Sequence, residues 1–295
     1  MKIAILGKFD FHLECAGFLL EMYNDNDNDN DNDNDIDIYI TPGANKYNHI
    51  EYYSTIFNFN VIYNDFNKNI LYNYDKIFKL TSNDDCLDDK KIISILHKDG
   101  SAQRRCNSEK FISLTPYIKG TNIYYAFPIY QPKITTGLKG KIITMIGYYS
   151  EDNFDNDLLK FITLNNNYTF NFIIWGANVS KLKNIKNVNI YSYIKTDIMI
   201  NILNNSKYVL SKKYIHYDRF SGQLGLAMSH EIPLIIDIKT KNNYKLPGIS
   251  FDKNYCEINN LDAISDDKYH SLKKEMKLVK ENILENNKKI FKSAF

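Results

Sequence analysis

The residues best suited to chemistry lie between Tyr214 and Pro233, in the run YIHYDRFSGQLGLAMSHEIP. His216, Asp218 and Arg219 crowd one loop, and Ser221-Gly222 then opens an apolar helical stretch with Leu224, Ala227 and Met228 on one face. A small-residue helix start leaves backbone N–H groups at the positive end of the helix dipole, which suits an anion and above all a phosphate. Arg219 would add a bidentate partner for that phosphate. The chain has only two other arginines, Arg104 and Arg105.

A second set lies in the first half. His12 sits in GKFDFHLE, and His97 opens HKDGSAQRRC, with Asp99 two residues on and then Arg104-Arg105. An imidazole with a pKa near 6.5, beside a carboxylate, can be poised as a general base at neutral pH. Either histidine could take that role. The arginine pair could hold an acidic acceptor or phosphates.

Other conspicuous residues carry less. Residues 24–35 alternate Asn and Asp, a low-complexity tract with nothing to bury, and read as a solvated loop. The tract imitates a metal-binding DxD and the first half of a calcium loop, but lacks the central Gly and the closing Glu of the latter. Asp84, Asp85, Asp88 and Asp89 read as a solvated turn. Cys15, Cys86, Cys106 and Cys256 form no CxxC pair, so neither a zinc site nor a disulfide framework is expected, and a reducing, cytoplasmic compartment is. The expectation is no metal and no cofactor.

These residues need elements to position them, and apolar runs alternate with helical periodicity along the chain. Strands are expected at Lys2–Leu6, Asp37–Ile40, Asn60–Tyr63, Lys76–Leu80 and Lys91–Leu96, with a helix over Leu13–Met22. Phe127–Gly140, with Pro128, Pro132, Gly137 and Gly140, reads as a linker. The rhythm then restarts. Strands are expected at Lys141–Ile146, Phe170–Trp175, Val188–Ile190, Tyr208–Ser211 and Pro233–Asp237, and helices over Asp155–Leu164, Asp197–Asn204 and Gly222–Ser229. A last helix, Asp266 to Phe291, would bury Leu272, Met276, Val279, Ile283 and Ile290.

The expected fold is α/β, with two Rossmann-like doubly wound parallel-sheet domains facing a cleft and the C-terminal helix packing back across them. The expected boundaries are 1–132, 138–265 and 266–295. The carboxyl ends of the strands would carry the ligand.

The second half resembles glycosyltransferases of the GT-B fold. The likeness lies in SKYVLSKKYIHYDRFSGQLGLAMSHEIPLIID, in FIIWGAN and in NVNIYSYIKTDIMINILNNSKYVL, and covers roughly residues 141–250. It implies that Gly147 and Tyr148 approach the diphosphate or sugar of a UDP- or GDP-type nucleotide sugar. Trp175 and Gly176 would border the nucleotide, and Tyr191, Tyr193 and Ile194 would contact the base. Arg219, Ser221, Gly222 and Gln223 would take the phosphate or ribose. Retaining members often carry two glutamates eight apart here, where this chain has Asp218 and Leu226, and a basic residue where it has Gly147-Tyr148-Tyr149. The resemblance therefore implies inverting, metal-independent transfer to a glycan, protein or small-molecule acceptor, with the base in the first domain. A nucleotide-sugar 2-epimerase of the same fold and a non-catalytic binding or structural protein remain alternatives.

Composition excludes several classes. The 295 residues carry a formal charge of +2 and are 24% charged, so no basic face for nucleic acid is expected. No apolar run is long enough to span a bilayer. GxGxxG does not follow the first strand, which argues against a dinucleotide-dependent oxidoreductase.

Overall fold

A computed structural model describes residues 1–7, 10–23, 35–64, 68–80, 91–97, 108, 110–132, 140–148, 156–175, 180–212 and 220–295. The Asn/Asp tract and the Asp84–Asp89 cluster lie outside these, the tract's last residue, Asp35, excepted. The chain divides into two compact units. The first holds Met1–Gln131, His216–Phe220 and Ile283–Phe295, and the second Pro132–Ile215 and Ser221–Asn282.

The strands of the first unit are β1 (Lys2–Gly7), β2 (Asp35–Ile40), β3 (Asn60–Ile62), β4 (Lys76–Leu80), β5 (Ile92–Leu96), β6 (Lys110–Ser113) and β7 (Ile123–Tyr125). They pair in parallel in the order β3-β2-β1-β4-β5-β6-β7. Runs such as IAIL and IISIL are apolar on both faces because a parallel sheet is covered on both. Helix α1 (Ala16–Tyr23) is buried along its whole length, and α2 (His49–Tyr53) is a short helix before β3. The helix expected over Leu13–Met22 instead begins as a 3₁₀ turn over Asp10–Cys15 and is α-helical only from Ala16.

The second unit has β8 (Ile142–Tyr148), β9 (Thr169–Trp175), β10 (Val188–Ser192), β11 (Tyr208–Leu210), β12 (Leu234–Asp237) and β13 (Gly248–Phe251). Their order is β10-β9-β8-β11-β12-β13, again all parallel. Helices α3 (Asn156–Leu164), α4 (Thr196–Asn204), α5 (Gly222–Ser229) and α6 (Ile238–Tyr244) connect them. Phe161, Phe170, Phe172, Tyr168 and Phe251 form the core, with Phe161 edge-on to Phe170 at 5.8 Å. Both units begin with the strand order 3-2-1-4-5-6 of the Rossmann fold.

Helix α7 (Asp266–Ala294) ends the chain. Its last turns complete the core of the first unit. The Phe291 ring meets Phe18 at 5.5 Å and Tyr23 at 5.6 Å and stacks on Phe78 at 6.1 Å. Asn287 Nδ2 donates to the Phe127 carbonyl at 2.7 Å.

Two expectations change. Phe127, Ile129 and Tyr130, read as the start of a linker, are buried, with the Tyr130 ring against Tyr53 at 5.6 Å. The buried stripe of α7 runs through Leu272, Met276, Lys280, Leu284, Asn287 and Phe291, while Val279, Ile283 and Ile290 are half-buried. Lys280 is inward because its Nζ donates to the Ser229 carbonyl at 2.8 Å and pairs with Glu231 at 3.2 Å. Among the described residues no helix is long and apolar enough to cross a membrane.

Candidate functional site

The second sheet opens where its strand order reverses. β8 and β11 share only the pairs Ile143–Tyr208 and Thr144–Val209. On its other side β8 stays paired with β9 from Ile142–Thr169 to Tyr148–Trp175. Beyond Thr144 the ladder of β8 has no strand partner on the β11 side among the described residues, and a side chain supplies one. Gln223 accepts a hydrogen bond from the Ile146 N–H at 3.2 Å through Oε1. A crevice at the reversal of strand order, at the carboxyl edge, is where open α/β sheets bind ligands.

Gln223 is buried, and its Nε2 has no hydrogen-bond partner among the described residues. Because Ile146 N–H is a donor, the amide oxygen must face it, which leaves the amide N–H₂ spare. Such a buried, unpaired donor costs about 1–3 kcal/mol. It stands in the first turn of α5, whose N-cap Ser221 makes no side-chain capping bond. One spare amide and an uncapped helix start therefore offer donors to an acceptor-rich ligand.

The neighbouring strand ends fall in register. Gly147 pairs with Ile174, Tyr148 with Trp175, and Ile174 with Ser192. This aligns Gly147, Tyr148, Trp175 and Tyr191 along the carboxyl edge, followed by Tyr193 and Ile194. Gly147 has φ 143°, a conformation that side-chain-bearing residues rarely adopt. Trp175 and Tyr191 are half-buried, and Ile194 is half-buried after Tyr193. Tyr193 is 57% exposed and held at φ 54°. Ser221 and Gly222 are half-buried at the start of α5. Gly176 and Arg219, expected beside these residues, lie outside the described residues.

In the first unit, His97 directly follows β5 and is 8% exposed. Its Nε2 is 3.3 Å from the Cys15 Sγ, and its carbonyl accepts from the Phe220 N–H at 2.9 Å. Burial, and then the Glu14 charge, push the Cys15 thiol well above its ordinary pKa. His12 lies within the 3₁₀ turn Asp10–Cys15, and Asp99, Arg104 and Arg105 are outside the described residues. Sequence reasoning missed the Glu14–Cys15–His97 grouping because Cys15 and His97 are 82 residues apart. It placed Gln223 near the ligand and missed its bond to β8, which nothing local encodes.

No protein-family model matches the sequence, and no curated protein matches it by sequence. Among solved structures the chain is similar over its whole length to a variant of the O-GlcNAc transferase of Thermobaculum terrenum, with TM-score 0.55 and 7% identity, and spans 66% of that chain. It is also similar to UDP-GlcNAc 2-epimerase of Neisseria meningitidis bound to UDP-GlcNAc, with TM-score 0.56 and 10% identity, covering 100% of this chain and 99% of that one. A third likeness is to the trehalose-6-phosphate phosphatase N-terminal domain of Candida albicans, with TM-score 0.56 and 8% identity, covering 99% and 96%. At such identities the likeness is one of fold, and the two parallel sheets have the GT-B architecture.

Proposed function

We propose that the chain is a glycosyltransferase that holds a nucleotide-diphosphate sugar at the carboxyl edge of the second sheet. The observation that carries this reading is the parting of β8 from β11, bridged by Gln223 with its amide N–H₂ left to donate. In this reading the first turn of α5, Gln223 and Arg219 take the phosphates, and Gly147 lets the backbone approach them closely. Tyr193 and Trp175 flank the base. Helix dipole and guanidinium offset the charge that develops on the leaving diphosphate, so transfer needs no divalent cation at that end. His97 has its Nε2 against the Cys15 thiol, so we assign the acceptor base to His12, and acceptor or phosphate contacts to Arg104 and Arg105. The reaction is assigned to the cytoplasm, where Cys15 and Cys256 remain reduced thiols.

Isothermal titration with UDP-GlcNAc, GDP-mannose, UDP and GDP tests the donor site. Saturable binding of one nucleotide, weakened in Gln223→Ala and Arg219→Ala, is expected. Absence of binding to all four sinks the proposal. A second reading, sugar 2-epimerisation, is favoured by the end-to-end match with the epimerase, where the transferase is matched over 66% of its length. Donor incubated without acceptor separates the two, because an epimerised sugar supports the second and acceptor-dependent nucleotide release the first.

A further inference from the structure

Three side chains of the first unit that the proposed transfer leaves unused meet beyond the carboxyl end of β5. Glu14 and Cys15 close the 3₁₀ turn that precedes α1, and His97 is the first residue after β5. One ligand atom from each lies within 4.8 Å of the other two, and Cys15 Sγ is 3.3 Å from His97 Nε2. We propose that Glu14, Cys15 and His97 bind a divalent transition metal of the zinc type, with a fourth position open to water or a ligand.

The donor set selects the class of ion. A thiolate, an imidazole and a carboxylate together suit zinc or cobalt, whereas magnesium and calcium require oxygen shells that this group does not supply. The spacing agrees as well. Zinc–sulfur and zinc–nitrogen bonds of about 2.3 and 2.0 Å at a tetrahedral angle place S and N roughly 3.5 Å apart. The Cys15–His97 pair, at 3.3 Å, therefore has to widen only slightly, and the Glu14 carboxylate has to close in on the ion. Charge points the same way, because thiolate and carboxylate together balance a dication.

The supports of the ligands are fixed beforehand. Tyr53 Oη donates to the Glu14 carbonyl at 2.8 Å, and the Phe220 N–H donates to the His97 carbonyl at 2.9 Å. Both ligand-bearing backbones are thus held from outside, as in preorganised metal sites. In the metal-free protein, burial and the Glu14 charge keep the Cys15 thiol protonated. Binding forms the Sγ–metal bond and releases the thiol proton to buffer. The ion ties the 3₁₀ turn to the end of β5 and so fixes the carboxyl edge of the first sheet.

The test is titration of the metal-free full chain with Co²⁺, followed by thiolate-to-cobalt charge-transfer absorption and the visible bands of tetrahedral cobalt. Saturation at one ion per chain, displacement by Zn²⁺ and loss of the charge-transfer band in Cys15→Ser are expected. Glu14→Gln, at a half-buried position where the fold is least disturbed, should weaken binding by about tenfold or more. Urea unfolding of each variant establishes that it is folded, and Glu14→Gln with His97→Gln decide the matter if Cys15→Ser does not fold. A missing charge-transfer band, a band that survives Cys15→Ser, or unchanged affinity in Glu14→Gln overturns the site and leaves a thiol–imidazole hydrogen bond only.

Discussion

The two sheets share a strand order and differ at the point where that order reverses. In the first unit β1 and β4 remain paired from Ile3–Lys76 to Gly7–Leu80, the last residue of each strand. In the second, β8 and β11 separate after two pairs, and Gln223 fills the gap. Each leading strand carries a glycine near its end, for different reasons. A Cβ on Gly7 would come 2.4 Å from Leu13 Cδ2, so the glycine makes room for the incoming turn. Gly147 is needed for its φ of 143°. One topology thus supports a closed edge and an open one, and the open edge has the spare donors. Strand order alone does not say which sheet carries a ligand.

The contrast can be broken by acid first. His49 is buried in the first unit, and burial lowers its pKa from 6.5 to about 4. The unfolded chain takes up a proton near pH 6.5, whereas the folded chain resists until about pH 4. Stability is therefore full above about pH 6.5 and falls as the pH drops toward 4, by about 3 kcal/mol in total. Urea unfolding across that range should show the loss and His49→Asn should flatten it. An acid loss that His49→Asn leaves unchanged would rule out the imidazole as its source. Hydrogen exchange should place the acid loss in β1 and β4 before β8 and β9.

Gly147→Ala comes next, at roughly 1–3 kcal/mol, because alanine must enter a conformation nearly reserved for glycine. Nucleotide affinity should fall with it. Gln223→Ala should cost about 1–3 kcal/mol by leaving the Ile146 N–H unpaired. Gln223→Glu keeps an acceptor for that N–H and removes the spare amide donor, so it should separate binding from stability. If Gln223→Glu binds nucleotide as tightly as the parent, the spare amide is not a ligand contact. The smallest effect is expected for Gly7→Ala, about 1 kcal/mol, because the obstacle is the far end of the Leu13 side chain. A Gly7→Ala loss as large as that of Gly147→Ala would erase the proposed difference between the two glycines.

The long apolar strands were legible because parallel pairing buries both faces. Lys76–Leu80 and Gly222–Ser229 fall where the pattern places them. Five elements gave no such pattern. α2, β6 and β7 are five, four and three residues long, too short for periodicity alone to set them apart from loop. In α6 and β13, the polar run KTKNN precedes Gly248 and hides a helix whose N-cap, Asp237, accepts from the Thr240 N–H at 2.9 Å. Gln223 was expected beside the ligand only through the GT-B resemblance, and its bond to β8 depends on how far β11 travels before turning away. Cys15 and His97 illustrate the other limit: neither residue has a local pattern, and only the sheet brings them to 3.3 Å.

The end of α7 also bears on the order in which the molecule assembles. Phe291 sits among Phe18, Tyr23 and Phe78, and the Lys110 ammonium donates to the Ala294 carbonyl. Residues 1–131 therefore leave the ribosome without the aromatic plug that seals them, and all of residues 132–282 emerge before that plug does. The first half synthesised is the second to be completed, and a fragment ending at Gln131 would expose an unsealed core to aggregation and proteolysis.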